Sequence, residues 1–115
     1  MLVKKTYRDV RPELLYDEIR DLTLKQGILL KTSEPEMYAV RGDTASFVFR
    51  GTMTFTAADK VGNSAKECLR VHVLGSDKGE TKVIFDINEE LFPPEKLNAL
   101  QDELDFMFST YEENS

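Results

Sequence analysis

A chain of 115 residues with 41% apolar and 31% charged residues fits one domain, 1–115, large enough to bury a core without staples. Its 21 acidic against 15 basic side chains give a net charge of −6, which repels phosphate backbones and argues against nucleic acid as a partner. The single cysteine, Cys68, excludes an intrachain disulfide and points to a reducing compartment.

MLVKKTYRDV at the N-terminus lacks the apolar region of a secretory signal. No apolar run approaches the roughly 20 residues that span a bilayer, so a cytoplasmic protein without a membrane segment is expected. Met1 to Arg8 reads as a short strand. Pro12 suits the first turn of a helix, where its missing N–H costs nothing. From it, PELLYDEIRDLTLKQ places Leu15, Ile19 and Leu22 at helical spacing, with Leu14 and Leu24 widening the stripe and Gly27 as a left-handed stop. Ser33-Glu34-Pro35 then breaks the pattern.

Four strands are expected next. Thr44 to Ala58 alternates, with Ala45, Phe47, Phe49, Gly51, Met53, Phe55 and Ala57 on one face and mostly Ser, Thr and Arg on the other. A turn at Gly42-Asp43 sets Tyr38 opposite Phe47 and Val40 opposite Ala45. The next strand carries Leu69, Val71 and Val73 on its core face. A hairpin loop over Asp77-Lys78-Gly79 aligns them with Ile87, Phe85 and Val83. A one-residue slip would turn an apolar row to solvent. After Phe92-Pro93-Pro94, a long C-terminal helix presents Leu97, Leu100, Leu104, Met107, Phe108 and Tyr111 on one stripe, with Phe106 to its side. Residues 112–115 are polar and read as a fraying end.

The expected fold class is therefore α+β, in the order β-α-β-β-β-β-α: an antiparallel meander packed against an N-terminal helix and a long C-terminal one. This order resembles the helix-grip and TATA-binding-protein-like arrangements, in which a curved antiparallel sheet wraps a long C-terminal helix. The resemblance rests on element order over nearly the whole chain. It implies a fold and carries no function with it.

No motif specifies a chemistry, and neither a cofactor nor a metal site is expected. His72, the only histidine, falls on the outer sheet face beside Thr52 and Ile84, with no carboxylate opposite to orient it as a base. Cys68 falls on the same face, four residues away, roughly 13 Å at strand rise and too far for a Cys–His dyad. The outer face gathers Arg50, Lys66, Arg70, His72 and Lys82 among Thr52, Thr54 and Thr56, and Asp86 is set opposite Arg70. Arg50, Arg70, His72 and Lys82 are the candidate partner-binding residues, since this face contradicts the acidic charge of the whole. It lacks the aromatic ladder that stacks single-stranded bases.

A competing surface is the acidic final helix with Asp102, Glu103 and Asp105. Phe47, Phe49, Met53, Phe55, Phe85, Leu104 and Phe108 are candidate lining for an apolar pocket between sheet and helix, although plain core packing explains most of them at lower cost. The expected function is a non-enzymatic binding or assembly module, monomeric or homodimeric, acting on a protein partner. The alternatives are a carrier for a small apolar ligand and, behind it, an enzyme of unassigned class.

Overall fold

The computed structural model describes residues 1–40, 42–57, 66–76 and 79–113, at 40 and 43–46 the backbone alone. Its elements run β1 (Leu2–Tyr7), α1 (Pro12–Lys25), β2 (Leu29–Val40), β3 (Asp43–Thr56), β4 (Glu67–Ser76), β5 (Thr81–Ile87) and α2 (Pro94–Phe108), followed by a 3₁₀ turn over Ser109–Tyr111. All pairings are antiparallel, in the strand order β1-β5-β4-β3-β2. The meander is thus extended by β1, which returns beside β5. The order of elements is the one read from the sequence, and its likeness to the two named arrangements goes no further than that order.

The central strands follow the derived register. Val71 faces Phe85, Leu69 faces Ile87, Val73 faces Val83, and Thr52 faces His72. Phe49, Met53, Phe55, Val71, Val73, Val83 and Phe85 are buried in one cluster with Leu15 and Ile19 of α1 and Leu100, Leu104 and Phe108 of α2. Phe47 is partly buried against that cluster, with the Arg11 guanidinium 5.9 Å from its ring centre. Helix α1 starts with proline in its first turn and ends before Gly27, whose φ is 82°.

Close approach explains one glycine. A Cβ at Gly51 would lie 2.4 Å from Cε2 of Tyr16, the ring that α1 lays on β3. The Tyr16 hydroxyl reaches Ser33 Oγ at 2.6 Å and donates to the Thr52 carbonyl at 3.3 Å, which pins helix to sheet. Phe49 meets the same ring edge-on at 5.3 Å between centroids.

Several expectations need correcting. The break at Ser33-Glu34-Pro35 does not occur, because β2 runs straight through it. As the sheet's edge strand, β2 can hold a proline whose nitrogen faces away from the ladder. The following turn also differs: Val40 pairs with Asp43, a register shift precedes it, and Tyr38 faces Val48 while Ala39 faces Phe47. Tyr38 is 51% exposed and Met37 57%, so neither parity buries much there and burial does not set the register.

Cys68 is not on the outer face. It is the extra residue at the register shift where Phe55 pairs with Leu69 but Thr56 with Glu67, and it is 1% exposed within the core cluster. In α2 the buried stripe is Leu100, Leu104 and Phe108; Met107 is exposed, and so is Tyr111, which lies in the 3₁₀ turn after the helix. Phe106 stands clear at 91% exposure.

The two edges of the sheet are finished differently. Residues 112 and 113, read from the sequence as a polar fraying end, are bonded to β1. The Arg8 N–H donates to the Tyr111 carbonyl and the Glu113 N–H to the Thr6 carbonyl, both at 2.7 Å. Residues 114–115 lie outside the described residues, as do 77 and 78 of the expected hairpin loop.

Candidate functional site

Both helices pack on one face of the sheet. On the other, antiparallel pairing lines up side chains of all five strands in rows. One row runs Lys4, Ile84, His72, Thr52, Glu34; the next Thr6, Lys82, Leu74, Arg50, Glu36; a third Leu2, Asp86, Arg70, Thr54, Thr32. Cations therefore occupy β1, β5, β4 and β3, while the carboxylates of Glu34 and Glu36 mark the β2 edge. Arg50, Thr52, His72, Leu74, Lys82 and Ile84 line a shallow depression of about 290 Å³ in the middle of this face.

Three of the four candidate partner-binding residues, Arg50, His72 and Lys82, surround that depression. Arg50 and Lys82 flank Leu74 in one row and are exposed. Arg70 lines a neighbouring depression of about 310 Å³ with Lys31, Glu34 and Glu67. Its ion pair is with Glu67, at 2.9 Å, and not with Asp86, although Asp86 does sit opposite it in the ladder. The Glu67 and Arg70 side chains meet along one strand because the bulge at Cys68 intervenes. Lys4 was not legible as a member of this face. Its place depends on β1 returning to β5, and no turn joins those two strands to announce it.

Among the described residues, Lys4, Arg50 and Lys82 appear in no ion pair. His72 is half-buried, and its Nδ1 lies 3.3 Å from Thr52 Oγ1. Thr54 and Thr56, expected to be wet, are buried; the Thr54 hydroxyl is hydrogen-bonded to that of Thr32.

The acidic surface is internally engaged. Glu103 holds Lys25 at 3.2 Å, and Lys5 lies between Asp105 at 3.3 Å and Glu112 at 3.1 Å. Burial lowers the Lys5 pKa, but hydrogen bonds and charge from Glu112 and Asp105 outweigh it, and the net shift is upward. Arg8 pairs with Glu80 and Glu113. Of the three helix carboxylates considered as a docking surface, only Asp102 is outside these pairs.

The apolar pocket candidates Phe49, Met53, Phe55, Phe85, Leu104 and Phe108 are buried side chains of the core cluster, and Phe47 packs against it. Phe108 also lines a surface depression, with Val10, Leu14 and Tyr111. Burial pushes the Cys68 thiol pKa up, the reverse of what a nucleophilic or ligating thiolate needs. Among the described residues no group of three or more His, Cys, Asp or Glu could hold a metal ion, and no helix is long and apolar enough to cross a membrane. Compared with protein-family models, with curated proteins and with solved structures, the chain matches none.

Proposed function

We propose that this chain is a binding module that takes an acidic, partly apolar segment of a partner protein on its open sheet face. One observation carries the reading: Lys4, Arg50 and Lys82 flank the exposed Leu74 and the half-buried Ile84 with no ion pair among the described residues, while Glu103 and Asp105 of α2 are held by Lys25 and Lys5. On a chain of net charge −6, a cationic patch attracts an anionic group against the field of the whole molecule. Leu74 and Ile84 offer apolar area between the charges, which suits a peptide with alternating acidic and apolar side chains.

Titration of a synthetic peptide alternating glutamate with leucine, followed by fluorescence anisotropy, tests this directly. Binding should weaken from 0.1 M to 1 M salt, as the Debye length falls from about 10 Å to about 3 Å. Arg50→Glu combined with Lys82→Glu should abolish it and leave the unfolding midpoint nearly unchanged, because both side chains are exposed. Undiminished binding by that double variant would refute the assignment. Sensitivity to Asp102, Glu103 and Asp105 instead would move the site to α2.

A further inference from the structure

We infer that the free edge of β2 is a docking site for an extended, basic segment of a partner protein, which adds to the sheet as a sixth, antiparallel or parallel strand. The inference does not depend on the open-face reading; it uses backbone groups and a different set of charges.

The backbone polarity of the edge follows from the ladders. Met1 and Ile87 exchange two hydrogen bonds, both 2.8 Å, so the odd residues of β1 bond to β5. The even ones face outward, as Arg8 and Thr6 do in bonding the C-terminal segment. Alternation carried across the four ladders turns the N–H groups of Ser33, Met37 and Ala39 to the unpaired side of β2. Pro35 has the same parity, the one in which a proline leaves the β2–β3 ladder intact. Every residue from Leu29 to Ala39 is exposed, and among the described residues no backbone group bonds to the outer side of this strand. An edge this long, with unpaired donors and acceptors, is a template for an added strand.

Charge decides the occupant. A strand laid on β2 meets Glu34 and Glu36 on the open face and Met37 on the helix side. It should therefore alternate lysine or arginine with apolar residues. A second copy fits poorly. Antiparallel β2–β2 pairings centred on residues 34, 35 or 36 set Glu34 or Glu36 against itself or against the other, and like charges directly opposite destabilise a pair. The β1 strand of a second copy is blocked over residues 6–8 by its own C-terminal segment.

The test uses a short synthetic peptide alternating lysine with valine, its glutamate–valine counterpart, and amide hydrogen exchange on the whole chain. The lysine peptide should protect the Ser33, Met37 and Ala39 amides, and the glutamate peptide should not. Met37→Pro removes an outward N–H that β2–β3 pairing does not use, and should weaken binding by about tenfold or more. Should that variant fail to fold, Glu34→Lys with Glu36→Lys serves instead, and it should reverse the preference between the peptides. Binding without protection at these amides, equal binding of both peptides, or no loss in a folded Met37→Pro variant would overturn the inference. Protection that grows with protein concentration alone would give the edge to a second copy and also overturn it. Arg50→Glu with Lys82→Glu leaves this edge in place, so failure of either site is told apart from failure of the other.

Discussion

On its helix side the sheet carries Phe49, Met53, Phe55, Val71, Val73, Val83 and Phe85, all buried. On its other side the same strands carry Arg50, Thr52, Arg70, His72, Leu74, Lys82 and Ile84, which no helix covers. Period-two alternation alone separates them, so neighbouring residues serve opposite ends. From Phe49 to Phe55 and from Leu69 to Val73 the odd positions of β3 and β4 pack against the helices, while Arg50, Thr52, Arg70, His72 and Leu74, at even positions, face away from them. The lesson is that the packed face and the open face can be altered separately here, one residue apart, wherever the alternation is unbroken. The bulge at Cys68 shows the converse: one extra residue carries a side chain expected outside into the core.

The strongest way to break this division is at Phe55, which is fully buried on the helix side. Phe55→Ala should destabilise the domain by about 3–5 kcal/mol, through lost apolar burial and the cavity left behind. A chemical-denaturation loss below about 1 kcal/mol would show that the helix side does not carry the stability.

Gly51 probes the same face from the opposite direction, by adding an atom. Its new Cβ would fall 2.4 Å and 2.6 Å from Tyr16 ring carbons and 2.9 Å from Phe49 Cε1. Gly51→Ala should therefore cost about 1–3 kcal/mol by overpacking, read as a lower unfolding midpoint. Pairing it with Tyr16→Phe, which keeps the ring, should not recover the loss. Pairing it with Tyr16→Ala should leave less than the sum of the two single losses.

The smallest effect concerns a flaw within the covered face. The Tyr7 hydroxyl is buried with no hydrogen-bond partner among the described residues, and its ring meets Phe108 edge-on at 6.3 Å. Burial raises its pKa above the ordinary phenol value, and the nearby Glu112 and Asp105 carboxylates add to that. A pKa raised on folding stabilises fully below the unfolded value and loses that contribution as pH climbs toward the folded one. Stability should thus fall above about pH 10. Tyr7→Phe should be neutral or stabilising by up to about 1 kcal/mol near pH 7. It should also shift alkaline unfolding to higher pH, leaving the part due to Lys5, whose pKa is likewise raised. An alkaline midpoint unmoved by Tyr7→Phe would remove the phenol from this account.

What the sequence by itself determined lies in the centre of the sheet. The Asp77-to-Gly79 spacing and the alternation of Leu69, Val71 and Val73 with Val83, Phe85 and Ile87 agree on one register. They agree because both faces of a central strand are fully specified: one must be dry, and each neighbour is a strand. His72 beside Thr52 and Ile84 follows from that same agreement, as does most of the open-face cluster. Helix α1 was equally legible, from proline at its start to glycine after its end.

Only the tertiary structure decided the periphery. On an edge strand, Pro35 and the exposed Met37–Tyr38 pair cost little in either register, so local rules had no purchase on β2. Whether Arg70 meets Asp86 or Glu67 depends on a bulge that alternation cannot foresee. Lys4 joins the cationic face through its pairing with Ile84, and residues 111–113 close the β1 edge through bonds to Thr6 and Arg8, each a contact between distant parts of the chain. Contacts of that kind leave no local pattern, because they are chosen by how the finished sheet and helices fit and not by any neighbour in the sequence.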